Sequence, residues 1–188
     1  MNIPNLLTIA RLGMVPMFVF CFVKGCEGTL VGGVHYAAAL FVLAALTDIL
    51  DGYLARKYNQ ITDFGKLADP LADKMMQIAA IACLAFYERI HAWIFFVFLG
   101  KELLMIFGAS RLLKRFKFVA YSQWSGKIAT VILFVCIVAI MIFSEITKET
   151  ASVLMGVCIF FTLVALFNYM KIYANVKESR LRKKEGKE

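Results

Sequence analysis

The fold is decided by residues 34–87, which read VHYAAALFVLAALTDILDGYLARKYNQITDFGKLADPLADKMMQIAAIACLAFY. Two apolar runs flank a polar centre, and that centre holds every Asp of the chain, between positions 48 and 73. Each run is long enough for a helix, and the short connection over 57–64 would make the two helices antiparallel neighbours. The sequence therefore predicts a helical pair whose acidic residues gather at one end.

The composition of the whole chain indicates a membrane protein. Of its 188 residues, 61% are hydrophobic and 18% are charged, whereas soluble domains have about 45–50% apolar and about 25% charged residues. Its mean hydropathy is +0.75. The 17 Phe and 7 Tyr exclude a disordered chain, and four of the five Cys lie inside apolar runs, which argues against a disulfide scaffold.

The apolar segments predict an all-α membrane protein. A crossing needs about 20 mostly apolar residues. We expect one domain over 1–188, with a short N-terminal amphipathic segment over 1–11 and a basic tail over about 175–188 that lies on anionic headgroups. The six transmembrane helices are predicted near 8–24, 33–57, 66–87, 91–113, 125–143 and 150–174.

The distribution of basic residues orients this bundle. Six crossings place both termini on one side, and the loops on the other side hold only Lys24, Arg89 and Lys148 of the 21 Lys and Arg residues. Positively charged loops stay in the cytoplasm. We therefore expect both termini and the acidic window at the cytoplasmic face of a bacterial-type inner membrane. Because the basic residues follow topology and cover no single soluble face, no nucleic-acid partner is expected.

The Asp residues of the window form two pairs at helical spacing. Asp48 and Asp51 are three residues apart and Asp69 and Asp73 are four apart, so each pair shares a helix face. The third span reaches membrane length only if it begins near residue 68, which puts its Asp pair at the membrane edge. An ionised Asp there costs about 3 kcal/mol or more unless it is paired, hydrated or bound to a cation.

Four converging carboxylates favour a hard divalent cation such as Mg²⁺, Mn²⁺ or Ca²⁺, because the window contains no His or Cys. Two other interpretations remain open. One is a set of interfacial ion pairs with Lys57, Lys66 and Lys74. The other is an ion-coupled transporter, although the acids lie near one membrane face and no repeat relates the two halves of the chain.

The window can be written D-x2-D-G-x2-A-R-x8-G-x3-D-x3-D, from Asp48 to Asp73. This pattern resembles the signature of the CDP-alcohol phosphotransferase family and matches it at every position. The resemblance implies displacement of CMP from CDP-diacylglycerol by an alcohol, in a membrane enzyme that is commonly a homodimer. It also implies two divalent cations, Mg or Mn, on Asp48, Asp51, Asp69 and Asp73, with Asp73 also acting as general base. CDP-diacylglycerol would contact Gly52, Ala55, Arg56 and Gly65.

The resemblance also bears on the acceptor alcohol. The stretches NIPNLLTIAR (2–11) and GKLADPLADK (65–74) are similar to family members that use glycerol 3-phosphate. Ala129 stands where a Lys is usual, and Lys101 where an Arg is common before Glu102. Phosphatidylglycerol, serine and inositol phosphate therefore remain alternative acceptors. The acceptor phosphate is expected to bind Arg111, Lys127, Thr8 and Arg11.

Lys101 and Glu102 lie in the middle of a predicted span. Neighbouring residues of a helix point about 100° apart. The two side chains therefore need not pair with each other, and we expect them to have a structural hydrogen-bonding role.

Overall fold

The computed structural model describes the backbone over residues 3–57, 63–116 and 124–185, and the side chains over 8–50, 72, 74–105, 128–164 and 166–167. Across these residues the structure consists of helices joined by short turns, without strands. The helices are α1 (Ile3–Cys26), α2 (Gly33–Lys57), α3 (Asp63–Phe86), α4 (Ala92–Phe116), α5 (Trp124–Ile142) and α6 (Lys148–Glu185).

The six predicted helices are confirmed as helices, with one correction at the N-terminus. No separate amphipathic segment precedes the first helix in the described residues, because α1 runs without interruption from Ile3. Pro4 lies in the first turn, where its missing N–H breaks no helical hydrogen bond. At the other end of the chain, α6 continues to Glu185, well beyond the predicted end near 174.

The three described turns meet at one end of the bundle. Glu88, between α3 and α4, forms an ion pair with Lys148 at the start of α6 (Nζ–Oε2 3.4 Å). Arg89 donates to the carbonyl of Ile140 near the end of α5 (2.9 Å). The Phe22 ring of α1 packs edge-on against Tyr87 with centroids 5.9 Å apart. The acidic ends of α2 and α3 therefore lie towards the opposite end of the helices.

An aromatic row holds α1, α2 and α5 together. Phe18 lies 6.0 Å from Phe41 between ring centroids, and Phe41 stacks on Phe134 at 4.8 Å with an interplanar angle of 12°. Offset stacking of this kind adds about 0.5–1.5 kcal/mol to the area that the rings bury. The remaining helices complete the core with fully buried residues that include Ile81, Leu84, Ile94, Phe98, Ala151 and Met155.

The outer surface of the bundle is also apolar. Large hydrophobic side chains are exposed along the helices, for example Phe20, Leu46, Phe96, Val131 and Phe160. By length and composition, two described segments could cross a membrane, Thr8–Cys26 and Gly33–Leu50, and shorter apolar helices cover Lys74–Phe86 and Ile128–Ile142. Apolar residues that point outward on successive helices are the pattern of a lipid-facing surface.

Helices α1 and α2 approach each other closely at two glycines, Gly25 and Gly33. A Cβ on Gly33 would lie 2.6 Å from the carbonyl oxygen of Cys21 and 2.6 Å from the Cα of Gly25. We expect Gly33→Ala to lower the free energy of unfolding by about 1–3 kcal/mol, because backbone atoms cannot move aside as a side chain can.

Thermal unfolding in detergent measures this loss, and Gly13→Ala in the middle of α1 is the matched control. A Cβ at Gly13 meets nothing within 4 Å, and Ala is the better helix former. Equal melting temperatures for Gly33→Ala and wild type would contradict this prediction, because α1 and α2 could then move apart without loss of stability.

Candidate active site

The four Asp residues of the motif lie on two helices that pack against each other. Asp48 and Asp51 belong to α2, and Asp69 and Asp73 belong to α3. Of these side chains, the structure describes that of Asp48. The remaining predicted site residues, apart from Thr8 and Arg11, lie outside the residues whose side chains are described. They are Asp51, Gly52, Ala55, Arg56, Gly65, Asp69, Asp73, Arg111 and Lys127.

Asp48 forms an ion pair with a residue of α1. The Nη1 of Arg11 donates to Oδ1 of Asp48 at 2.8 Å, across 37 positions of sequence. The Arg11 side chain is 1% exposed and that of Asp48 is 42% exposed. The guanidinium is thus enclosed by the bundle, and it holds a carboxylate that is partly accessible to solvent.

Thr8 lies one turn before Arg11 on α1 and is fully buried. Residues three apart on a helix share a face, so α1 presents both predicted residues on its inner side. The structure thus brings Arg11 to the first Asp of the motif and places Thr8 on the same face of α1.

The arrangement at Asp48 fits a divalent cation. A carboxylate that is fixed by a guanidinium and open to solvent supplies the hard oxygen that Mg²⁺ or Mn²⁺ prefers. Within the described side chains, no three His, Cys, Asp or Glu residues come together as a metal site. Asp48 is the one predicted ligand among them, so the fit rests on its chemistry and accessibility.

A second group of charges lies between α3 and α4. Glu102 is 1% exposed, and its Oε1 accepts from Lys101 at 2.6 Å and from Lys74 at 3.1 Å. Lys74 also reaches Oε1 of the buried Gln77 at 3.5 Å. Two cations therefore share one carboxylate inside the apolar bundle, a cluster that we call the α3–α4 charge cluster (Lys74, Gln77, Lys101 and Glu102).

The sequence predicts only part of this arrangement. It predicts a structural hydrogen-bonding role for Lys101 and Glu102 without requiring that they pair, and in the structure their side chains form an ion pair. The ion-pair hypothesis for the acidic window proposed Lys57, Lys66 and Lys74 as partners, whereas the described partner of Asp48 is Arg11. A charged residue in the middle of an apolar span needs a partner. The position of Lys101 and Glu102 in such a span is therefore the sequence feature that indicates a buried ion pair.

A groove of about 450 Å³ lies at the end of the bundle where the turns meet. It lies between the starts of α4 and α6 and is lined mainly by apolar atoms, with His91, Trp93, Ser152 and Phe160 among its residues. Among the described residues that line it, Glu149 is the single carboxylate. These lining residues include none of the paired Asp residues of the acidic motif, so the chemistry is assigned to the opposite end of the bundle.

The described fold and site define an all-helical protein with fixed polar groups at the acidic end of an apolar bundle. The sequence profile of the CDP-alcohol phosphatidyltransferases matches residues 1–167. The chain belongs to this family.

Three relatives are similar to this chain, and all three are named CDP-diacylglycerol–glycerol-3-phosphate 3-phosphatidyltransferase. The protein of Bacillus subtilis (strain 168) is 33% identical over 180 residues, which cover 89% of this chain and 93% of the relative. That of Aquifex aeolicus (strain VF5) is 37% identical over 134 residues, 69% and 70% of the two chains. That of Rickettsia bellii (strain RML369-C) is 47% identical over 76 residues, 40% and 39% of the two chains.

Proposed function

We propose that this protein is a phosphatidylglycerophosphate synthase. It transfers the phosphatidyl group of CDP-diacylglycerol to the 1-hydroxyl of glycerol 3-phosphate, giving phosphatidylglycerol phosphate and CMP. The observation that carries this proposal is the similarity to the Bacillus subtilis enzyme named for this reaction, which extends over 89% of the chain. The complete acidic motif on α2 and α3 supports it with the residue types that phosphoryl transfer needs.

The carboxylates of α2 and α3 would hold the metal ions. Asp48, Asp51 and Asp69 would bind two divalent cations, Mg or Mn, with Asp73 contributing to one of them. When bound, the cations would neutralise the pyrophosphate and the charge that develops on the departing CMP. The ion pair with Arg11 would keep the Asp48 carboxylate in a fixed orientation before a cation arrives.

The donor nucleotide would lie beside these carboxylates. Gly52, Ala55 and Gly65 carry small side chains or none, which leaves room for the cytidine and its phosphates next to two packed helices. Arg56 would contact the nucleotide, because a planar guanidinium donates two parallel hydrogen bonds to a phosphate. The acyl chains of the donor would extend sideways into the bilayer along the apolar surface of the bundle.

Asp73 would act as the general base. It would accept the proton of the glycerol 3-phosphate 1-hydroxyl while that oxygen forms a bond to the phosphatidyl phosphorus. The bond from this phosphorus to the oxygen of CMP breaks, and CMP leaves with the electron pair. This role requires the carboxylate within hydrogen-bond reach of the hydroxyl, directly or through one water.

The phosphate of the acceptor needs cationic ligands near the site. Arg111 in α4 and Lys127 in α5 are the proposed ligands, with Thr8 and Arg11 closing the site from α1. Arg11 is buried, and the contact that fixes its guanidinium is the Nη1 ion pair with Asp48. Its contacts therefore favour a role in holding the metal carboxylate.

The proposed setting is a bacterial inner membrane that all six helices cross. Both termini and the acidic end would face the cytoplasm, because the loops at the other end hold few of the Lys and Arg residues. The basic C-terminal tail would lie on anionic headgroups. We further propose that the protein, which is one domain over 1–188, works as a homodimer in the lipid bilayer.

The test is release of CMP by the purified full-length protein in detergent. We expect CMP only when CDP-diacylglycerol, glycerol 3-phosphate and Mg²⁺ or Mn²⁺ are all present, and loss of activity when EDTA removes the metal. CMP release that depends on serine, phosphatidylglycerol or inositol phosphate would keep the family and replace the acceptor. Folded protein that releases no CMP with any acceptor would contradict the proposal, and substrate-driven ion flux in proteoliposomes would then support transport.

A further inference from the structure

We propose that Glu102 is a positioning residue for the metal-binding end of α3. It would act through Lys74, which it holds in the α3–α4 charge cluster. This inference rests on the proposed function, because it assigns Glu102 to the divalent-cation site formed by α2 and α3. It concerns a residue of α4 that lies outside the acidic motif.

The position of Lys74 connects this cluster to the motif. Lys74 directly follows Asp73 in α3, and its Nζ lies 3.1 Å from Oε1 of Glu102 in α4. An ion pair from a side chain of α3 to a buried residue of α4 fixes the rotation of α3 about its axis. Because Asp69 and Asp73 are one turn apart on the same helix, that rotation also sets the direction in which both face.

The burial of the cluster makes its geometry restrictive. Glu102 is 1% exposed, Lys101 6% and Lys74 20%. Lys101 lies 2.6 Å from the same Oε1, and its ammonium also lies 4.8 Å from the centre of the Phe98 ring. Water cannot easily replace the partners of groups buried to this extent, so the cluster resists rearrangement when α3 turns or slides.

Polar side chains also lie between this cluster and Asp48. Gln77, which bonds to Lys74, lines a small cavity that is also lined by Arg11. Arg11 in turn holds Asp48. Polar side chains of α4, α3 and α1 thus lie in sequence between Glu102 and the first carboxylate of the motif, with Gln77 and Arg11 lining the same cavity.

Glu102 has a further feature that ordinary packing does not explain. Its Oε2 is buried and has no hydrogen-bond partner among the side chains that the structure describes. A carboxylate in a bundle core is costly to bury, and two cations converge on its other oxygen. Apolar residues at all the charged positions of the cluster would avoid these costs, which argues that the charges serve the site and not stability alone.

The experiment compares Lys74→Met, Lys74→Arg and Glu102→Gln with the wild-type protein in detergent. Two quantities are measured: the increase in melting temperature that Mn²⁺ produces over EDTA, and the Mn²⁺ concentration that gives half-maximal CMP release. We expect Lys74→Met and Glu102→Gln to shrink the Mn²⁺-induced increase and to raise that concentration about tenfold. Lys74→Arg keeps the cation and should restore most of the response.

The matched control is Ser152→Ala. Ser152 is buried at the opposite end of the bundle, where its Oγ accepts from the backbone N–H of His91 at 3.0 Å. This variant should lower the melting temperature in EDTA and leave the Mn²⁺ response unchanged. If Glu102→Gln and Lys74→Met behave like Ser152→Ala, the cluster is only structural and the inference is overturned.

The outcome for the wild-type protein separates this inference from the proposed function. If Mn²⁺ raises the melting temperature of the wild-type protein but no acceptor gives CMP release, the proposed reaction is overturned. The melting temperatures of the variants with Mn²⁺ and with EDTA then decide the inference about Glu102. Wild-type protein that Mn²⁺ does not stabilise would overturn the inference, since no metal site would exist for Glu102 to position.

Discussion

Asp73→Asn is expected to nearly abolish turnover, lowering the rate of CMP release by about 100-fold to 10,000-fold. The amide keeps the shape of the side chain but cannot accept the proton of the attacking hydroxyl. Binding of CDP-diacylglycerol should be largely preserved, because Asp48, Asp51 and Asp69 would still hold the cations. The measurements are single-turnover CMP release and binding of the donor lipid to the same preparation.

Asp63→Asn is the control for this prediction. Asp63 begins α3 and occupies a variable position of the motif, between Arg56 and Gly65, so its replacement should leave the rate within a few-fold of wild type. A loss of donor binding as large as the loss of rate in Asp73→Asn would contradict the role of Asp73 as base. Asp73 would then be a metal ligand alone.

Arg11→Gln is expected to lower activity by about 10–100-fold, the effect that removal of a residue holding a metal ligand usually has. Arg11 donates to Oδ1 of Asp48 at 2.8 Å from a fully enclosed position. Without the guanidinium, the carboxylate loses both its fixed orientation and a charge-assisted hydrogen bond, which contributes about 1.5–3 kcal/mol. Since Asp48 is 42% exposed, solvent screens part of this contribution.

The dependence of the rate on each ligand separates the two possible roles of Arg11. If Arg11 holds Asp48, the Mn²⁺ concentration for half-maximal rate rises and the KM for glycerol 3-phosphate stays nearly constant. If Arg11 instead binds the acceptor phosphate, the KM rises and the metal requirement does not. A double-mutant cycle with Asp48→Asn adds a second check, because effects of residues in direct contact are not additive.

Lys24→Gln is the matched control on the same helix. Lys24 pairs with Glu27 at 2.8 Å, but the two side chains are 40% and 44% exposed. Exposed pairs of this kind contribute little to stability, because water and salt screen them. The variant should therefore keep wild-type activity and metal dependence, which would tie the effect of Arg11→Gln to its buried position beside Asp48.

Much of the fold could be predicted from the sequence, because the length of an apolar segment and the helical period are properties of each segment alone. A run of apolar residues predicts a helix wherever it occurs, and all six predicted helices are present. The error at the N-terminus came from treating Arg11 as an interfacial residue. The structure buries it, because a charged side chain inside a bundle is tolerated when another helix supplies its partner.

The candidate site was also predictable only in part from the sequence. Spacing along one helix sets which of its residues share a face, so the pairs Asp48–Asp51 and Asp69–Asp73 follow from the sequence alone. Spacing carries no information about the neighbouring helix that such a face meets. That depends on the crossing and rotation of packed helices, which are fixed by side chains far apart in the chain.

The sequence by itself determined that this protein is a helical bundle with its Asp residues gathered at one end, and its motif determined the family. The tertiary structure decided that Asp48 is held by Arg11, 37 positions away, and that Lys74 and Lys101 share the carboxylate of Glu102. The reason is physical. Helical period and hydrophobic length act within one segment, whereas the partner of a buried charge is chosen only when the segments pack and exclude water.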